Sequence, residues 1–226
     1  MKHIVKLFAL MFVLSLAGQV HAQSIHLKGG LNLASMNFDN EWFDDDDISW
    51  KAGFIAGATV EFPITTMLSL ETGMLFASKG YKSEYEESFP EWNEEYSAEE
   101  TVSLLYVDIP ITAKALFNVG DIDIFLTAGP YVGIGITGTY KAEWKDTWNG
   151  HTDSGSIEED IEWGSGDDDD LKRLDFGLLV GAGVEFGSLT VGAAYGMGLA
   201  NISPHDVVDI NNKTISITLG YKINFK

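Results

Sequence analysis

The chain has 226 residues, with 34 acidic side chains against 14 basic ones, 24 glycines and no cysteine. That length suits a single barrel or sandwich domain. A formal net charge of −20 disfavours nucleic acid and anionic surfaces as partners. The missing thiols exclude disulfides, lipid attachment through an N-terminal cysteine and thiolate metal sites.

Residues 1–22 carry the marks of a secretory signal. Lys2 and Lys6 open it, LFALMFVLSL supplies the apolar stretch, and Val20-His21-Ala22 offers a small-x-small cleavage site. The alternative, a membrane anchor, needs a longer apolar run. Residues 23–226 are then expected to form one domain.

Within that domain a period of two recurs, the signature of half-buried strands. It runs through Ile25, Leu27, Leu31 and Leu33, then Phe54, Ala56, Ala58, Val60 and Phe62. Leu68, Leu70, Met74 and Phe76 form the third set, and Leu105, Val107, Ile109, Ile111, Ala113 and Phe117 the fourth. The fifth is Ile122, Ile124, Leu126, Ala128, Val132, Ile134 and Ile136. Leu174 to Phe186 and Leu189 to Leu199 repeat the pattern, and TISITLGYKINF closes it with Ile215, Ile217, Leu219, Tyr221, Ile223 and Phe225 on one face. Eight strands result. Tight turns at residues 63–66, 118–121 and 187–188 alternate with long connections at 37–49, 82–100, 141–170 and 203–213. This asymmetry is that of an outer-membrane barrel.

Alternation alone does not say whether the apolar face meets lipid or a protein core. A lipocalin-like soluble barrel shows the same period with its greasy face inside. The opposite face decides. Gly57, Gly73, Gly129, Gly181, Gly183, Gly192 and Gly220 lie on it with several more glycines. Glycine weakens a solvent-facing strand but suits the crowded interior of a narrow cylinder. An apolar exterior of this extent needs a bilayer, where closing the sheet satisfies the backbone. The expected fold is all-β: an eight-stranded antiparallel up-and-down transmembrane β-barrel in outer-membrane lipid.

The same inward face carries Lys28, Glu61, Glu71, Asp108, Lys114, Asp123, Glu185 and Lys222. Buried charge has to be paired or hydrated, and eight strands leave room for little but side chains. These eight residues are therefore expected to plug the bore by mutual pairing, rather than to line a proton or ion path.

Several short motifs resemble the PorT-like outer-membrane β-barrel family of Bacteroidota. They are Gly29-Gly30-Leu31-Asn32-Leu33, Phe62-Pro63, Ser78-Lys79-Gly80-Tyr81, Tyr106-Val107-Asp108-Ile109-Pro110, Ala128-Gly129-Pro130-Tyr131 and Gly181-Ala182-Gly183-Val184-Glu185-Phe186. The resemblance spans the chain after the signal and implies the fold and a Gram-negative outer-membrane location, with the long loops extracellular, but no single function. Thr218, Gly220, Ile223 and Phe225 also resemble the terminal assembly signal read by the barrel insertion machinery, with Lys226 as a departure. That machinery is an implied partner.

Function is expected in the long loops, of which 37–49, 82–100 and 141–170 hold 25 of the 34 acidic residues and, in or beside them, all six tryptophans. Trp50 and Trp144 are expected at the headgroup level. Asp44, Asp45, Asp46 and Asp47, and Asp167, Asp168, Asp169 and Asp170, offer clustered carboxylates for calcium, without the spaced ligand loop that would make the signal specific. No other cofactor is expected. Capture of a cationic or glycan partner is a further reading. His151 beside Asp153 and Ser154 is the one local catalytic candidate, and nothing positions a nucleophile there, so no enzyme is expected. The leading expectation is a filled, non-enzymatic barrel with a structural or surface-interaction role. The alternative is a narrow transport conduit or an accessory part of a secretion system.

Overall fold

The computed structural model describes residues 24–39, 48–89, 91, 94–166, 168–205 and 208–225. The segment read as a signal, residues 1–22, lies outside them. The strands are β1 (Ser24–Asp39), β2 (Ile48–Ser49), β3 (Lys51–Pro63), β4 (Leu68–Phe89), β5 (Glu94–Val119), β6 (Ile122–Trp148), β7 (His151–Asp160), β8 (Leu174–Phe186), β9 (Leu189–Gly198) and β10 (Asp209–Asn224). Every strand pairing is antiparallel. β1, β3, β4, β5, β6, β8, β9 and β10 pair in that order, and β10 returns to β1 along the full length of both, from Ser24↔Asn224 to Asp39↔Asp209. The eight-stranded ring is closed, so its backbone donors and acceptors find partners without water. Among the described residues no helix is long and apolar enough to cross a membrane.

The molecule is inside-out. Met74, Leu126, Val180, Ile217 and Leu219 point outward and are exposed, while Thr59, Lys79, Lys114, Asp175 and Asn212 are buried. In β6 the alternation is unbroken from Ile122 to Ile136. The inward glycines mark places where neighbouring backbones close in. A Cβ on Gly57 would stand 2.2 Å from the Met74 carbonyl oxygen, and one on Gly129 would stand 2.2 Å from that of Ile111. No side chain fits at that separation.

Two expectations are corrected. First, residues 82–89, 94–100 and 141–160 are not loops. β4 and β5 stay paired from Tyr81↔Val102 out to Phe89↔Glu94, and β6 folds back on β7 from Trp148↔His151 to Thr139↔Asp160. The result is a four-stranded, single-layer sheet, β4-β5-β6-β7, standing beyond the barrel. Its strands are charged on one face and mixed on the other, so they lack the apolar alternation that marks a lipid-facing strand. Second, a β-bulge interrupts β5–β6. Tyr106 pairs with Gly135 but Leu105 pairs with Thr137, leaving Ile136 as the extra residue. One extra residue reverses which side each later residue faces. Below the bulge the even-numbered residues of β6 face lipid; above it Gly138, Tyr140 and Trp144 stand on the lumen side. Trp144 also lies eight residues beyond Ile136, ~27 Å further along the strand at the usual rise. It does not sit at the headgroups. Trp50 is exposed and continues the outward row of Ala52 and Phe54.

Candidate functional site

At the short-turn end, β1, β3, β4, β5, β8 and β10 each send charge into the bore. Lys114 bridges Glu61 at 2.8 Å and Glu185. Lys222 reaches Glu185 at 3.1 Å and Glu61 at 3.6 Å. Lys28 pairs with Glu71. Ser69 donates to Glu61 at 2.9 Å, and His26 meets the other Glu61 oxygen at 2.8 Å. Three lysines thus balance three glutamates. His26, Glu61 and Glu185 could in principle offer one ligand atom each to a metal. The ammonium groups of Lys114 and Lys222 already hold both carboxylates, so this donor set does not suit a cation.

Asp123 and Asp108 stand apart from that network. Asp123 accepts from Asn118 at the rim, 2.9 Å away. Asp108 belongs to a second layer higher in the bore. There Lys79 lies 2.9 Å from both Asp108 and Asp175. Tyr131 and Asn212 donate to Asp175 at 3.1 and 3.0 Å, and the Lys79 ammonium stands 4.6 Å over the rings of Tyr106 and Tyr131. Sequence reasoning missed His26, Lys79 and Asp175 as lumen charges. The signal was present: each alternates with outward residues, His26 with Leu27, Lys79 with Phe76 three residues before it, and Asp175 with Phe176.

Above Lys79 the filling is apolar, contrary to the expectation of ions and glycine throughout. Residues 161–166, 168–173 and 199–203 fold back into the mouth and enclose Met36, Val102, Leu104, Tyr106, Leu171, Ala200 and Ile202. Backbone bonds join the two halves of this cap, Lys172 N to Ile202 O at 2.8 Å, and stitch it to the wall, Gly135 N to Arg173 O at 2.8 Å and Ile202 N to Ile210 O at 2.9 Å. Trp163 lies edge-on to Tyr106 at 5.6 Å and covers Gly135, where a Cβ would meet its ring at 2.4 Å. Between cap and charged base a cavity of about 100 Å³ remains, bordered by Glu71, Lys114, Thr127 and Thr218, with space for a few waters.

The protruding sheet has two unlike faces. Rows Lys82–Thr101–Lys141–Glu158 and Glu84–Glu99–Glu143–Ser156 lie on one. There Lys82 is held above its ordinary pKa by hydrogen bonds to Glu84 and Glu99. Rows Tyr85–Ala98–Trp144–Gly155 and Phe89–Glu94–Trp148–His151 lie on the other. Of the aspartates considered for calcium, Asp44 to Asp47 and Asp167 lie outside the described residues. Asp169 and Asp170 each accept a backbone N–H, from Gly166 at 2.6 Å and from Glu162 at 2.8 Å. Those bonds shape the turn and use one oxygen of each carboxylate. His151 and Asp153 face one side of β7 and Ser154 the other, its N–H donating to Asp153 at 3.0 Å. Strand alternation keeps the serine hydroxyl away from the imidazole, so no nucleophile–base pair forms.

A closed inside-out ring with a packed bore defines an outer-membrane β-barrel. The outer membrane protein beta-barrel domain family matches residues 19–203, and this chain belongs to it. No curated protein matches the chain. Among solved structures, the attachment invasion locus protein Ail of Yersinia pestis is 16% identical, covers 91% of this chain and 100% of its own, with a TM-score of 0.35. Neisserial surface protein A is 10% identical over 88% of this chain and 97% of its own, TM-score 0.42. The outer membrane protease OmpT of Escherichia coli is 10% identical over 90% of this chain and 96% of its own, TM-score 0.34. At such identities the likeness concerns the fold alone.

Proposed function

We propose that this barrel is a non-enzymatic surface-interaction protein. In this reading the sheet β4-β5-β6-β7 faces the outside of the cell, and the bore conducts nothing. The observation that carries it is the pairing of residues 82–89, 94–100 and 139–160 into a sheet with both faces in solvent. Neither the barrel nor the bilayer needs such a sheet, and its strands carry thirteen carboxylates against Lys82, Lys141 and Lys145. The tight turns and the paired residues Ser24 and Asn224 lie at the opposite end, in keeping with a periplasmic side. The charged base and apolar cap speak against the alternative of a narrow conduit, and the resemblance to the PorT-like family leaves an accessory role in secretion as the competing assignment. Replacing tips 87–96 and 145–154 with two-residue Asn-Gly turns would leave the ring intact. Cross-linked partners recovered from intact membranes should be lost with the tips. Recovery of the same partners without them would defeat the proposal.

A further inference from the structure

The outer edge of β7 bonds to no strand among the described residues, whereas the opposite edge of the sheet already carries β2 at Lys82 and Ser83. An open edge is a template for another strand. Which of its backbone groups are open follows from the turn. Asn149 and Gly150 both have positive φ, 48° and 80°, between the paired residues Trp148 and His151. That is a two-residue type I′ hairpin, whose closing pair is hydrogen-bonded. Antiparallel bonding alternates. His151, Asp153, Gly155, Ile157 and Glu159 therefore bond to β6, while Thr152, Ser154, Ser156 and Glu158 turn their N–H and C=O groups outward, the N–H of Ser154 being held by the neighbouring Asp153 carboxylate.

The side chains along that edge say what fits. On the aromatic face the order is Asp153, Gly155, Ile157, Glu159. Gly155 leaves the Trp144 ring uncovered at the edge, since a Cβ there would lie 2.1 Å from it. Glu158 and Asp160 add further charge on the other face. A second copy of β7 would set carboxylate against carboxylate, which destabilises a cross-strand pair. A strand with basic residues at its ends and apolar residues between them meets the opposite charges and lays an apolar side chain on Trp144 and Ile157.

We infer that β7 accepts an extended basic polypeptide of the pattern basic-x-apolar-x-apolar-x-basic, added as a strand to its free edge. This rests on the surface-interaction reading and narrows it to one partner class and one edge.

The test uses the full-length barrel in detergent micelles and three fluorescent peptides. Arg-Thr-Leu-Thr-Val-Thr-Arg is the probe, Arg-Pro-Leu-Thr-Val-Pro-Arg has the same charge but cannot complete the ladder, and Glu-Thr-Leu-Thr-Val-Thr-Glu has the opposite charge. The first should bind at least roughly tenfold more tightly than the other two, with an affinity that falls as salt rises. The variant Ser156→Pro removes an outward donor and leaves the bonds to β6, so it should lose a similar factor. Its folded state is checked by heat-modifiable gel migration, and the proline peptide tests the same point on the unaltered protein. Equal binding of the two basic peptides would overturn the edge inference while leaving the acidic surface reading in place. Failure of every basic peptide to bind would overturn the inference, and the surface reading would then stand or fall on the cross-linking experiment alone.

Discussion

Lys114 offers the sharpest test of how the bore is held together. Its ammonium is buried between Glu61 and Glu185, and it also stands 5.0 Å over the Phe125 ring. Replacing it by methionine keeps most of the volume and removes the charge. Two buried carboxylates then share Lys222, which lies 3.1 Å from Glu185 and 3.6 Å from Glu61 and is itself partly exposed. Removing one partner of a buried pair costs about 3–5 kcal/mol, most of it the penalty of the stranded charge. Lys222 offsets part of that, so the lower end, about 3 kcal/mol, is the expected loss. The double variant K114M/E185Q neutralises one stranded charge with its cation and should recover at least about half of it. Urea unfolding from lipid vesicles, followed by tryptophan fluorescence, gives both values. A K114M barrel within about 0.5 kcal/mol of the parent would refute the idea that these ions are dry and mutually dependent.

Other outcomes follow from the same geometry. Asp175 accepts from Lys79, Tyr131 and Asn212, whereas Asp108 meets only Lys79 of these three and is partly exposed. Asp175→Ala should therefore lower the urea midpoint more than Asp108→Ala, by an extra 1–2 kcal/mol or about that; equal effects would contradict the assigned hub. Gly129→Ala forces a methyl against the Ile111 carbonyl and should cost about 1–3 kcal/mol, while Gly29→Ala, with nothing within 4 Å, should stay within about 0.5 kcal/mol of the parent. Refolding yield on heat-modifiable gels separates the two. The purified barrel in planar bilayers should show no steady single-channel current, since a charged base and an apolar cap close the bore in series; reproducible unitary conductance would favour the conduit.

Much of the fold was readable from local pattern. Ile25, Leu27, Leu31 and their counterparts in seven other segments place one face in lipid through the pleat alone, and the inward glycines identify which face that is. The tight turns at residues 63–66, 118–121 and 187–188 came through because their chemistry is local. The hairpin at Asn149-Gly150 carried an equally plain turn signal, and it was passed over because the flanking strands are acidic on both sides. Lys28, Glu61, Glu71, Lys114, Glu185 and Lys222 were all legible as lumen residues from their parity.

What the chain order by itself determined is the strand period, the outward apolar face and the set of side chains that point inward, because each depends on residues two positions apart. Only the tertiary structure decided who meets whom. Lys79 finds Asp175 across 96 residues, and Lys114 finds Glu185 across 71. The bulge at Ile136 arises from the register between β5 and β6 and swings Trp144 from the lipid side to the lumen side. Register is a property of two strands at once, so no single stretch of sequence contains it.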